Sequence, residues 1–559
     1  MSPVLALQLA AFAIVLAAFP YQLFHLDRYT FAKELVLFVA ALVATLGCLA
    51  SARRLAVFAV DLLLGTFLAL SLLSALLATN RWLSLRAFGV SLAGAAVFWC
   101  ARSIARGGQA RPLLVALAAA VVLGALTGLA QAYGLVTTSL ASLTRAPGGT
   151  FGNRNFMAHL VTIGLPLLLL VAMEARSRRG FTLGAAGFAL SAGALVLSRS
   201  RAAWLGAAAC GIFLAVEGLW VGRLWHDREL RRRVLLLAGV AVGSLALAIL
   251  LPNRLNWRSE SPYLESLAGV ANYREGSGAG RLIQYGNTFR MAADDPVLGV
   301  GPGNWPVHYP RYMSPGDPSF DADDIIPTNP WPSSDWMGML AERGVPGALL
   351  LALVGASLGL GAWARVRRGS RHTPALTDLT IVATLIAVAV VGSFDAVLLL
   401  PVPTLFAWTI VGALASTARP VREIPITPLL RRRLLLGIVL VGGLLVLRSA
   451  AQTVAMAVFA GAEGKTGQEL AARIDPGSYR IRMLLAGGWR AAGSCARARP
   501  HAEAAAALFP HYPAPHRLLR ACGARRALAT SPRPCVVRHR RPQCGRAIVV
   551  SYRQRVRQG

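Results

Sequence analysis

Gly149 to Leu170 reads GTFGNRNFMAHLVTIGLPLLLL. A glycine turn leads into an apolar run that opens with two asparagines, carries His159 one turn further in and continues to about residue 174. Arg176, Arg178 and Arg179 follow directly. A run of about 18 or more apolar residues is enough to cross a hydrocarbon core roughly 30 Å thick. In lipid the backbone must satisfy its own hydrogen bonds, so such a run is a helix.

Runs of this kind recur along the chain. We place about thirteen spans near 4–24, 33–52, 56–79, 83–104, 112–136, 155–174, 181–198, 202–221, 234–251, 346–364, 378–398, 401–418 and 434–459. The composition agrees, with 55% hydrophobic and 15% charged residues over 559 positions and a mean hydropathy of +0.54. No alternating segments of about ten residues recur, which argues against a membrane barrel. The first run lacks a basic leader and a small-residue cleavage site and reads as a retained span. The expected fold class is all-α: a polytopic helical membrane protein with about 13 transmembrane helices and one large periplasmic loop containing short helices.

The net charge of +32 is placed by topology. One alternate set of loops holds Arg53–Arg54, then Arg102, Arg106 and Arg111, then Arg176, Arg178 and Arg179. It continues with Arg231–Arg233, then Arg365, Arg367, Arg368 and Arg371, then Arg431–Arg433. All fall on one side, the cytoplasmic side, if the N-terminus is cytoplasmic. Nucleic acid is not an expected partner, because the cations follow the spans and the C-terminal region.

Residues 1–251 then hold spans one to nine, 252–345 form the large outside loop, and 346–459 hold spans ten to thirteen. The loop carries Trp257, Tyr263, Trp305, Tyr309, Trp331 and Trp336, and its carboxylates outnumber its cations. Long loops that are not linker-like are usually functional. Gly301 and Gly303 suit a tight turn. Residues 460–523 read as helical segments, also outside. From Gly461 onward 19 Lys and Arg stand against 4 Asp and Glu. The stretch 524–559 has no helical period. It reads either as a disordered basic tail or as a departure from the native reading frame. Cys48, Cys100 and Cys210 lie in apolar runs. Cys495, Cys522, Cys535 and Cys544 lack metal-site spacing, and a disulfide among them is open if the region is periplasmic.

Four stretches carry a family signal: GTFGNRNFMAHLVTIGLPLLLL, LVLSRSRAAWLG (Leu195 to Gly206), GRLIQYGNTFRMAADDPVLGVGPGNW (Gly280 to Trp305) and SSDWMGMLAERGVPGALLLALV (Ser333 to Val354). In this order they resemble the O-antigen ligase family of bacterial envelope glycan transferases and polymerases, over about residues 20 to 420. The family patterns are close to GTFGNPNFLA, SRgAWL, D-P-x-x-GvGpGnf and HNDyLqllaElGlxG. Residues Gln468 to Cys522, with A-x-x-A spacing and a DPGSYR turn, weakly resemble tetratricopeptide helix pairs.

The resemblance implies an enzyme of the inner (cytoplasmic) membrane that acts without cofactor or metal. Its donor would be a glycan on undecaprenyl diphosphate. Its acceptor would be lipid A-core or a growing glycan, and membrane lipids would surround it. Charge building on the leaving diphosphate calls for arginines, whose planar fork suits phosphate. Arg201 matches the family's SR arginine, with Arg199 beside it, and Arg281 fits the family's loop arginine. Ser333 stands where the family has its histidine, the residue credited as general base. A serine of ordinary pKa is no base near neutral pH. Asp335, at the family's acidic position, and His308, in NWPVHYP, are the remaining catalytic candidates. Trp336 and Glu342 are substrate-binding candidates, as are Asn153 and Asn155, for which a structural role stays equally open. The Ser333 substitution keeps a second reading alive: a catalytically degenerate member that binds glycan or envelope partners.

Overall fold

Every one of the thirteen apolar runs falls on a helix. A computed structural model describes residues 2–135, 146–220, 227–257, 259–270, 272–314, 317, 319, 330–368 and 375–529. Helices α1 (Pro3–Leu16), α2 (Asp27–Ser51), α3 (Ala59–Leu77), α4 (Arg81–Ile104) and α5 (Ala110–Ala132) open the bundle. Helices α6 (Arg154–Met173), α7 (Arg178–Ser198), α8 (Arg201–Trp220) and α9 (Arg228–Leu250) complete the part before the loop. The loop contains three short helical pieces, α10 (Pro262–Ala268), α11 (Gly276–Asp294) and α12 (Trp305–His308). After it come α13 (Asp335–Arg367), α14 (Ala375–Gly392), α15 (Pro401–Leu414) and α16 (Pro428–Gly461). Four further helices, α17 (Lys465–Ile474), α18 (Tyr479–Ala491), α19 (Cys495–Leu508) and α20 (Pro513–Ala529), end the described chain. Residues 530–559, most of the expected tail, lie outside the described residues, as do Cys535 and Cys544.

Nine apolar helical stretches among the described residues are long enough to cross a membrane. The longest, Arg81–Ala132, is α4 continuing into α5 through Gly108, whose φ is +80°. The chain is a multi-pass, all-α membrane protein. Among the described residues it has one antiparallel strand pair, β1 (Arg54–Val57) with β2 (Arg422–Pro425).

Two expected spans are shorter than the sequence suggests, for different reasons. Helix α1 stops at Leu16, and Pro20 stands just beyond. The carbonyls at its end find partners in protein: Val15 accepts from Thr150 Oγ1 at 2.6 Å and Ala17 from Lys33 Nζ at 2.5 Å. Helix α15 has 14 residues, and all but Trp408 are buried. Wrapped in protein, it need not match the thickness of lipid.

Helix α15 packs tightly on α4. A Cβ at Gly412 would lie 2.5 Å from the Phe98 carbonyl oxygen, and one at Gly94 would lie 2.8 Å from Thr404 and Trp408 atoms. Close backbone approach through small residues is how membrane helices gain packing without a hydrophobic drive.

The two ends of the bundle differ in character. At one end the basic loops engage their neighbours: Arg54 pairs with Glu423, Arg106 reaches Glu423, Arg365 pairs with Asp378, and Arg367 pairs with Glu217. The other end carries the loop and the C-terminal helices. There Asn80 Nδ2 donates to the Leu508 carbonyl at 3.0 Å, Trp82 Nε1 to Asp475 at 2.9 Å, and Arg480 Nε to Asp27 at 2.8 Å. Helices α19 and α20 are joined by a Cys495–Cys522 disulfide.

Gly412→Ala therefore overpacks the α4–α15 contact and is expected to cost about 1–3 kcal/mol. Gly443→Ala, at a position with nothing within 4 Å, is expected to be neutral or slightly stabilising. Thermal unfolding of the two purified variants in one detergent checks this; equal midpoints would remove the packing argument.

Candidate active site

The corner between α7 and α8 is Ser198-Arg199-Ser200-Arg201. Arg199 ends α7 in the left-handed region, at φ +51°, a conformation uncommon for a side-chain-bearing residue. Contacts from the loop hold it. Its Nε donates to Ser266 Oγ at 2.7 Å, its Nη2 lies 3.2 Å from Glu265, and its guanidinium sits 4.7 Å from the Trp257 ring centroid. Arg154 approaches the same tryptophan at 5.5 Å. Arg201 donates to the Gly269 carbonyl and, at 2.5 Å, to Ser277 Oγ. The loop thus folds back over the corner through α10 and the first turn of α11.

Helix α11 then carries the site onward. Ser277, Arg281 and Tyr285 are spaced by four and share one face. Arg281 Nε donates to the Phe394 carbonyl at 3.0 Å. The Tyr285 hydroxyl lies 2.9 Å from the Ser333 carbonyl and 2.6 Å from the Ser393 carbonyl. Burial pushes this phenol up to about 12, so it stays a neutral donor. Next to Phe394, Asp395 presents its Oδ2 to Asn155 Nδ2 at 3.2 Å and to His159 Nε2 at 3.6 Å, with its side chain 21% exposed. Asn153 accepts from the Asn155 amide at 2.9 Å and caps α6. Trp331 meets Phe156 edge-on at 6.0 Å, closing the loop against the first turn of α6.

Arg201 thus reaches the first turn of α11, one turn before Arg281 on that same helix, and a part-exposed carboxylate stands next to the Phe394 carbonyl that Arg281 meets. The segment spanning residues 186–352 matches the family model described as O-antigen ligase. This part of the chain belongs to the O-antigen ligase family. At the level of the family it is a glycan-transferring membrane protein. The match contains the Arg199–Arg201 corner, the loop and the first half of α13; Asn155, His159 and Asp395 lie outside it. No curated protein matches the chain.

Several residues of the O-antigen ligase motifs hold the site rather than line it. Asp335 is fully buried, and its two carboxylate oxygens accept from the Val397 amide at 2.9 Å and the Leu398 amide at 2.8 Å. It anchors the 393–400 turn that carries Phe394 and Asp395. Ser333 donates its amide to Gln284 Oε1 at 2.6 Å, and Trp336 Nε1 donates to the Ala389 carbonyl at 3.1 Å. Glu342 is buried beside Arg343, and its Oε1 accepts from the Trp305 amide at 3.2 Å. Its carbonyl accepts from the Gly301 amide at 3.0 Å, which pins the turn in which Gly301 and Gly303 take φ values of +100° and +71°.

His308 sits elsewhere. Its Nε2 is 3.0 Å from Thr79 Oγ1 and its ring centroid is 5.6 Å from that of His511. It belongs to the contact with the C-terminal helices. Neither Asp395 nor Tyr285 is among the candidates read from the sequence. The four-residue spacing from Arg281 was the available signal for Tyr285. For Asp395 it was an ionisable residue late in an apolar run.

Burial, and then His511, lower the His308 pKa to about 4, while Asp295 opposes and Arg311 adds to the shift. A base held neutral in the fold stabilises it above its unfolded pKa of about 6.5. That stability is lost as pH falls from there toward 4. We expect the unfolding midpoint to drop across this interval, and His308→Gln to flatten the drop. An unchanged slope in the variant would show that other groups carry it.

Proposed function

We propose that the chain moves a glycan from undecaprenyl diphosphate to a sugar hydroxyl, lipid A-core or a growing glycan, at the outer face of the inner membrane. The observation that carries this is that Arg201 bonds to Ser277, one turn before Arg281 on α11, with Asp395 next to the Phe394 carbonyl that Arg281 meets. Arg201 and Arg281 hold the donor diphosphate, helped by the positive end of the 19-residue helix α11. The acceptor hydroxyl gives its proton to the Asp395 carboxylate as its oxygen attacks the anomeric carbon. The bond from that carbon to the diphosphate oxygen breaks, and the electron pair leaves with undecaprenyl diphosphate, where the arginines meet the developing charge. Asn155 and His159 orient Asp395. Arg199 fixes the corner that aims Arg201, while Asp335 and Glu342 position the elements on either side. Asp395 thus takes the task that Ser333 cannot perform.

Purified protein with lipid-linked glycan and acceptor is expected to lengthen the acceptor. Arg201→Ala should cut turnover by about 10²–10³ and Asp395→Asn by about 10²–10⁴, both with a near-normal unfolding midpoint. Asp335→Ala should instead lower the midpoint, through a stability loss of about 1–3 kcal/mol for each orphaned amide. Full activity in Asp395→Asn would remove the base assignment. No donor consumption by wild type with either acceptor would favour the degenerate, glycan-binding reading that Ser333 motivates.

The same proposal sets the orientation: N-terminus cytoplasmic, loop and C-terminal helices periplasmic. The arginine-rich end supports it. The Cys495–Cys522 disulfide beside the loop suits an oxidising compartment. A single cysteine at Glu260 is expected to react with a membrane-impermeant maleimide added outside intact spheroplasts, and one at Gly107 only after lysis. The opposite pattern would invert the assignment.

A further inference from the structure

A crevice of about 1150 Å³ opens between α2, α4 and α16 at the end of the bundle opposite the loop. Its walls are apolar, formed by residues such as Phe38, Leu42, Leu92, Leu434, Ile438 and Leu445. Its rim is not: Arg53, Arg54, Arg102, Arg106 and Arg433 line it against two carboxylates, Asp61 and Glu423. Those carboxylates are already engaged. Asp61 is taken by Arg102, at 2.7 and 2.8 Å, and by Trp99 Nε1 at 3.0 Å. Glu423 lies 3.3 Å from Arg54 and 3.7 Å from Arg106. Arg53 and Arg433 are exposed, and no hydrogen bond or ion pair engages their guanidinium groups among the described residues.

We propose that this crevice binds one acidic phospholipid, with its phosphate among Arg53, Arg54, Arg106 and Arg433 and an acyl chain lying along α2, α4 and α16. An apolar trough ending in uncompensated guanidinium groups is complementary to a molecule with a long chain and an anionic head. Arginine forks suit phosphate oxygens. Basic clusters where helices leave the membrane attract anionic lipid at roughly 1 kcal/mol per cation. A zwitterionic head would bring its own cation against the rim. The crevice is distant from the Arg201 site: α4 is capped beside the loop at Asn80, runs 24 residues from Arg81 to Ile104 and has Arg102 in its last turn at the rim, a length of about 36 Å. The inference therefore does not rest on the glycan-transfer reading.

The test uses the full chain purified in detergent, with lipid retention read by native mass spectrometry and by the unfolding midpoint. The probes are dioleoylphosphatidylglycerol, dioleoylphosphatidylcholine, undecaprenyl phosphate and inorganic phosphate. One phosphatidylglycerol is expected to be retained, and to raise the midpoint where phosphatidylcholine and inorganic phosphate do not. Arg53→Ala with Arg433→Ala should weaken its binding about thirty-fold. Gly437 lines the crevice and has open space around it, so Gly437→Leu should fill the trough and remove retention while leaving the lipid-free midpoint in place. Equal retention of phosphatidylcholine, unchanged binding in both variants, or equal stabilisation by inorganic phosphate alone would each overturn the proposal. Displacement of phosphatidylglycerol by equimolar undecaprenyl phosphate would assign the crevice to polyprenyl lipid instead.

Discussion

The buried carboxylate of Asp335 accepts two backbone amides, from Val397 and Leu398, and in doing so ties the end of the loop to the turn between α14 and α15. That turn supplies the carbonyls that meet Arg281 and Tyr285, and it carries Asp395. Ser334 reinforces the tie by donating to the Gly392 carbonyl at 3.1 Å. The room for it is tight: a Cβ at Gly392 would lie 2.9 Å from Asp335 Oδ2. Without this joint the loop would still be connected to the bundle at both ends, but the 393–400 turn would be held to it by little more than the bonds from Arg281 and Tyr285.

The second organising constraint is electrostatic. Arginines at the loop end are bound to loop carbonyls, hydroxyls and a tryptophan, so their direction is set before any ligand arrives. Such preorganisation is what makes fixed cations effective against developing charge. At the opposite end the arginines form ion pairs between neighbouring helices and across the strand pair, and leave a positive rim. One residue type thus does two different jobs, and the distance along α4 keeps them apart.

The helices were legible in the sequence because lipid demands continuous apolarity, which survives without knowledge of contacts. The exceptions are α1, whose last carbonyls bond to protein just before Pro20, and α15, which is wrapped in protein so that its length is set by neighbours. The loop and Arg201 were also legible, through motif order and position at a span's end. Asp395 was not, because what distinguishes it is a meeting with Asn155 and His159 from the other side of the sequence. Asp335 sits in the family motif, but a motif does not show which way a carboxylate points; here it points into the protein. His308 shares the loop with Arg281 yet faces α19 and α20, a division that depends on how the C-terminal helices dock.

Helix α16 is a single element of 34 residues, about 51 Å long, against a hydrocarbon layer of roughly 30 Å. Its far end leads straight into the helices that rest on Asn80, Trp82 and Asp27. A rod of this length is a lever. A tilt of about ten degrees in its membrane half moves its tip by about 9 Å, more than the hydrogen bonds of the cap tolerate. Bilayer thickness, which biases the tilt of a long helix, is thereby a mechanical load on the seating of the C-terminal helices over the loop.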